Sequence, residues 1–297
     1  MANVTMSAAN RAALSRSPIQ RRRPGGFGRW LVLAILMLGL AVTLFPFLVA
    51  VLNAIKLPTD YAVNGPVALP RSFSLAGLAT FWTEVDYSRK LINSVLISGL
   101  VAIVGVVLSL LNAYAIGIGR VRGGRKLLVL LLMGIMVPQE SLVYPLYYMA
   151  KAVGLYDTIW SVIIIFSVLQ SAFGTYLLSA VLTAFPREII EAAEIDGATR
   201  WQVLWHVVVP VLRPTLAVLG TFFFIWTWNE FLLPLVLLIS NQNQTVSVAM
   251  GVLQGQNSTT EPTAIAAASL LGILPTVIFF LIFQRTLTKG VVVGAVK

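Results

Sequence analysis

The chain has 297 residues, of which 58% are hydrophobic and only 11% charged, against about 25% charged in ordinary soluble domains. A mean hydropathy of +0.88 and several apolar runs longer than the ~20 residues that cross a bilayer exclude a soluble globular domain and indicate a polytopic membrane protein. There is no cysteine, which excludes a disulfide framework and a thiolate metal site, and the net charge of +10 is distributed as a topology signal rather than as a nucleic-acid patch.

Residues 1–29 are rich in Arg, Ala and Ser, lack an apolar period, and read as a disordered tail. Six spans follow, at Trp30–Leu52, Leu91–Ile118, Leu127–Met149, Ile159–Leu182, Thr215–Ile239 and Thr263–Phe283. Arg21-Arg22-Arg23 before the first resembles a signal-peptide n-region. Its apolar run exceeds the ~7–15 residues of a signal core and no small-residue cleavage site follows, so it reads as a retained anchor.

Lys and Arg set the orientation. Sixteen of the 21 lie before span one, in the link Arg120–Lys126, in the segment 184–214 or after span six. Both termini and segment 184–214 are therefore expected in the cytoplasm. Asn53–Tyr87, rich in turn formers, and Ser240–Pro262 are the larger external connections. The apolar centre of the latter, Val246–Leu253, is expected to form a short helix at the membrane face.

Segment 184–214 is a polar island between apolar spans. It holds Glu188, Glu191, Glu194 and Asp196, four of the chain's eleven carboxylates. Pro186 suits a first helical turn, Arg187 and Glu191 stand at i and i+4, and Gly197 supplies a stop with positive φ. Thr199 with Gln202 forms a capping-box pattern. Trp201, Leu204, Trp205 and Val208 are expected on one face of a second short helix that Pro210 ends. A membrane-surface helix is usually basic; this island is net acidic, as suits docking to another protein.

Glu191-Ala192-Ala193, Gly197 after three intervening residues, and Val207-Val208-Val209-Pro210 resemble the cytoplasmic loop of permease subunits of ATP-binding-cassette importers, with Val where Ile and Leu are usual. Thr227-Trp228-Asn229-Glu230-Phe231-Leu232-Leu233-Pro234-Leu235 and Met136-Val137-Pro138-Gln139-Glu140 are similar to segments of carbohydrate permeases. Phe283-Gln284-Arg285 through Lys289-Gly290 to Gly294-Ala295-Val296-Lys297 resembles the tail of the maltose-importer G type. The resemblance implies an all-α type I permease fold: a six-helix domain over 30–283 and a cytoplasmic tail over 284–297. It further implies a second permease subunit, two ATPase subunits that hold ATP and Mg, an extracytoplasmic solute-binding protein, and a sugar as cargo. Glu191, Ala192, Ala193, Asp196, Gly197 and Pro210 are then the ATPase-coupling residues. The tail, with Arg285, Lys289, Gly290 and Gly294, is expected to follow the ATPase surface in an extended, irregular path.

The chain contains no GxxxxGK[ST], hence no phosphate-cradling loop of its own, and no nucleophile–base arrangement that would make it an enzyme. His206, the single histidine, has no companions for a metal site. Glu140 and Glu230 are ionisable groups inside apolar spans, where function is the default reading. Counted at ~1.5 Å per residue along straight helices, they reach similar depth. With Gln139, Gln170, Trp228 and Asn229 they are the candidate substrate pathway, the plain alternative being interhelical hydrogen bonding. Two other functions stay open: a secondary transporter or channel using Glu140 and Glu230 as ion sites, and a membrane protein that uses the island only for docking.

Overall fold

The computed structural model describes residues 26–119, 121–255 and 261–295, with the backbone alone at 26, 27, 254 and 285–295. The chain divides into two units, Met1–Val49 and Ala50–Lys297. Helix α1 (Gly26–Ala54), most of which belongs to the first, begins three residues before the expected end of the disordered tail; its Thr43 hydroxyl donates to the Gly39 carbonyl at 2.8 Å. The remainder of that tail lies outside the described residues.

Among the described residues of the second unit every regular element is a helix, apart from one isolated bridge between Lys56 and Phe73. Two short helices, α2 (Pro58–Asn64) and α3 (Ala76–Glu84), precede α4 (Tyr87–Gly117). Then come α5 (Gly124–Ile135), α6 (Gln139–Ala152), α7 (Ile159–Thr183) and α8 (Arg187–Ile195). Helix α9 (Arg200–Asn229) is followed by α10 (Leu232–Leu237), α11 (Val246–Gly255) and α12 (Pro262–Ala295). Five helices are long and apolar enough to cross a membrane, and the pair α5 and α6 makes a sixth span if counted together.

Prolines decide where the expected spans are broken. The third is not a rod: α5 and α6 meet at 99°. Pro138 has no N–H and its ring opposes the Gly134 carbonyl, which is taken instead by the Val137 N–H at 3.3 Å in a tight turn. The fifth span is also corrected. It starts at Arg200 and stops at Asn229, because Pro234 opposes the Glu230 carbonyl and Glu230 turns extended at φ −71°, ψ 134°. Pro210, expected to end a helix, lies inside α9. A π segment, Val203–Val208, precedes it, and the Val209 N–H reaches back five residues to the Leu204 carbonyl; the widened turn accommodates the ring. Beyond Phe283 the backbone stays helical to Ala295, so the irregular path expected of the tail is corrected too.

The helices pack through small residues. A Cβ on Gly174 would collide with the Ser109 side chain on α4 and the Phe223 ring on α9, so the small residue lets α7 seat closely against both, as in membrane helix packing. One buried cluster, with Leu110, Leu178, Leu204, Leu212 and Phe223, lies at the α8 end. Another joins Ile97, Phe166, Leu233 and Leu237. A third joins Phe81, Tyr87, Phe224, Trp228, Val246 and Leu253.

At the end opposite α8 the connections are ordered by charge. Lys56 is fully buried and donates to the Gly65 and Ala68 carbonyls at 3.0 and 2.7 Å. Asp60 accepts from the Arg71 amide at 2.9 Å and from Asn64 at 2.6 Å, bonds that hold its carboxyl below the usual range despite partial burial. Arg89, Lys90 and Asn93 in the first turns of α4 hold residues 241–244 through the Gln242 carbonyl, the Asn241 side chain and the Gln244 carbonyl. Asp157, at φ +58°, accepts from the Ser240 hydroxyl and amide; these bonds outweigh its burial and lower its pKa.

Candidate functional site

The polar island folds locally as its spacing predicts. The Ala198 N–H bonds the Ala193 carbonyl at 3.0 Å and the Gly197 N–H bonds Glu194 at 3.1 Å, the two bonds of a Schellman stop. Gly197 stands at φ +78°. Thr199 caps α9 reciprocally: its Oγ1 accepts from the Gln202 amide at 3.3 Å, and the Gln202 Oε1 accepts from the Thr199 amide at 2.8 Å. Pro186 is the N-cap of α8 rather than part of its first turn.

Glu191, Ala192, Glu194, Asp196 and Gly197 are exposed, as is Ile195 at 85%. The aromatic face expected on the second helix is divided. Leu204 and Val208 are fully buried, whereas Trp201 and Trp205 are 61% and 38% exposed and pair edge to face at 5.7 Å. The π segment is the cause, because it replaces the 3.6-residue period on which that face was drawn. Behind α8 lies a cleft of about 390 Å³ lined by Tyr114, Phe185, Arg187, Ile190, Glu191, Glu194 and Arg200, among others. The Tyr114 hydroxyl donates to the Arg200 carbonyl at 2.8 Å, tying the end of α4 to the first turn of α9.

The intramembrane candidates separate into two groups. Gln139, Gln170, Asn229 and Glu230 line one cavity of about 780 Å³, with Trp226, Phe166 and Phe173 as its aromatic walls. The breaks at Pro138 and Glu230 both open onto it. Trp228 does not: it is buried, stacks near Phe224 and donates from Nε1 to the Gly272 carbonyl at 3.3 Å. Glu140 is exposed in the first turn of α6 and off the cavity wall. A depth count along a straight span does not survive the 99° bend two residues earlier.

Gln170 is 9% exposed and donates to the Thr227 Oγ1 at 2.9 Å, while its Oε1 is buried without a partner among the described residues. Turning the amide over would only exchange which atom is unpaired, and a buried unpaired polar atom costs about 1–3 kcal/mol. The Glu230 carboxylate has no hydrogen-bond or ion-pair partner among the described residues. The segment Val246–Leu253 is helical within α11, but Val246, Val248, Ala249 and Leu253 are buried. It is packed into the second unit and borders a separate 540 Å³ pocket with Glu84, Lys90 and Glu261.

The pairings of Thr227 with Gln170, Tyr114 with Arg200 and Lys90 with Asn241 are not visible in the sequence. The partners in these contacts are 57, 86 and 151 residues apart, and no local pattern marks them. Of the tail candidates, the side chains of Arg285 and Lys289 lie outside the described residues, while Gly290 and Gly294 are in the α12 backbone.

Residues 105–293 match the model of the family described as binding-protein-dependent transport system inner membrane component. The trehalose transport system permease protein SugB of Mycobacterium tuberculosis is 34% identical over 269 residues, covering 90% of this chain and 97% of its own. The lactose transport system permease protein LacG of Rhizobium radiobacter is 30% identical over 268 residues, covering 89% and 94%. The fold is similar to a chain of a bacterial ABC transporter involved in the import of the acidic polysaccharide alginate, with a TM-score of 0.77 at 20% identity over 91% of this chain and 99% of that one.

Proposed function

From the premise that the chain belongs to the family of binding-protein-dependent transport system inner membrane components, we propose that it is the permease subunit of an ATP-driven sugar importer. The observation that carries the mechanism is the continuity of α9. Its first residue follows the Thr199 cap in the exposed island, and its last, Asn229, lies on the 780 Å³ cavity. Its 30 residues span about 45 Å at 1.5 Å per residue. A displacement of the island is therefore delivered along one helix to the groups that face the cavity.

In this reading two ATPase subunits hold ATP and Mg and dock on Glu191, Ala192, Ala193, Asp196 and Gly197. Pro210, two residues beyond the π segment, belongs to the same coupling element. A second permease subunit completes the pathway, and a solute-binding protein delivers the sugar on the side of α2, α3 and α11. Both termini are cytoplasmic, in a bacterial inner membrane, and the segment from Arg285 through Lys289, Gly290 and Gly294 lies against the ATPase. Gln139, Gln170, Asn229 and Glu230 offer hydrogen bonds to hydroxyls, and Trp226 an aromatic face. The sugar names of the relatives support the cargo class.

The test is uptake into proteoliposomes by the reconstituted complex. Accumulation that requires internal ATP and the binding protein is expected. Uptake driven by an ion gradient without ATP would establish the secondary-transporter reading instead. Glu230→Leu should lower uptake per assembled complex more than it lowers assembly. Deleting residues 288–297 should impair ATP hydrolysis or assembly, and normal rates in the truncated complex would remove the tail from the mechanism.

A further inference from the structure

The cavity wall that this chain provides is charged in only one sense. Its lining comes from α5, α6, α7 and α9 and the breaks beside them, and it contains the amides of Gln139, Gln170 and Asn229 and the Glu230 carboxylate, but no Lys or Arg. The cations nearest on those elements are Arg125 and Lys126, a turn or more before the first lining residue Leu130, and Lys151 near the far end of α6. Nothing on the wall is placed to neutralise an anion, and Glu230 has no ion-pair partner among the described residues.

We infer that this cavity selects uncharged, hydroxyl-rich glycans and rejects acidic ones, with Glu230 as the discriminating residue; the inference rests on the sugar-importer reading. Two observations converge on that class. A carboxylate such as Glu230 accepts hydrogen bonds from hydroxyls and repels a uronate, and like charges brought together in a low-dielectric site are strongly disfavoured. Trp226, Phe173 and Phe166 give apolar faces to the C–H surface of a pyranose ring, and the volume falls within the usual range for small-molecule sites. The chain of similar fold belongs to a transporter of an acidic polysaccharide, so the shared fold leaves this selectivity to the side chains.

The experiment uses the assembled complex in lipid nanodiscs without its binding protein, so that the binding protein's own preference does not enter. Maltotriose, cellobiose and digalacturonate are titrated while tryptophan fluorescence is followed, with Trp226→Phe identifying the cavity signal. At least one neutral sugar should bind about tenfold or more tighter than the uronate. Glu230→Gln should shrink that gap to about threefold or less, chiefly by admitting the uronate. Equal binding of neutral and acidic sugars by the natural protein, or an unchanged gap in Glu230→Gln, would overturn the assignment. If a dipeptide or spermidine binds and no glycan does, the sugar-importer reading itself fails. If no probe alters the Trp226 signal, the wall is not a ligand site and the inference falls with it.

Discussion

The Tyr87 hydroxyl donates to the Leu271 carbonyl at 2.8 Å across 184 residues of sequence. That carbonyl is the one that Pro275, four residues further along α12, leaves without an N–H partner. Tyr87 thereby supplies the partner that a helix-interior proline withholds, as backbone groups within a membrane span require.

Tyr87→Phe should therefore destabilise the assembled protein by about 1–3 kcal/mol, the cost of a buried unpaired carbonyl. In a Pro275→Ala background the helix supplies its own N–H, and the same substitution should cost much less. A double-mutant cycle on thermal unfolding in detergent measures the difference. Equal costs in both backgrounds would show that Tyr87 acts by packing alone.

Tyr114→Phe removes the bond between α4 and the first turn of α9 while keeping the ring. One neutral hydrogen bond contributes about 1 kcal/mol, so the complex should still assemble. Substrate-stimulated ATP hydrolysis should fall several-fold, because the island then moves less directly with the spans. Unchanged stimulation would assign transmission to the α9 backbone alone.

At Gly197 an added Cβ meets nothing within 4 Å, yet φ is +78°. The penalty of Gly197→Val is thus conformational, roughly 1–2 kcal/mol, and falls on the α8–α9 turn without disturbing packing. Gly197→Val should abolish stimulated hydrolysis with the permease still in the membrane. Glu191→Lys, at an exposed position, should do so by reversing the charge offered to the ATPase. Normal turnover in both variants would detach the island from coupling.

Asp60 gives a pH signature. Its pKa is lowered by the bonds from the Arg71 amide and Asn64, so its stabilisation of the Lys56–Arg71 segment is complete above the ordinary carboxylate value of about 3.9. It is lost as the pH falls through the depressed native value. Hydrogen exchange of residues 56–71 should accelerate at the acid end, and Asp60→Asn should show fast exchange already at neutral pH with little further change. A variant as protected as the natural chain at pH 7 would show that Lys56 alone orders the segment.

Much of the site was legible because it is local. Gly197, Thr199 and Gln202 satisfy their own turn within a few residues, so spacing reveals both motifs. Polarity within apolar spans points to the four cavity residues, by a rule blind to direction. It therefore also drew in Trp228, which faces the Phe224 cluster, and Glu140, which the bend at Pro138 carries off the wall.

The sequence alone determined that the chain is membrane-embedded, roughly where its apolar helices run, and how the island turns, because hydropathy and short-range hydrogen bonding are properties of neighbouring residues. Only the tertiary structure decided which prolines break a helix. Pro138 and Pro234 do, while Pro210 is absorbed by a π segment and Pro275 by the distant Tyr87. All four lack the same N–H; what differs is whether the local backbone or a side chain from another helix compensates. That depends on three-dimensional neighbours, and with it the placement of Gln170 against Thr227 and the cavity that both breaks open.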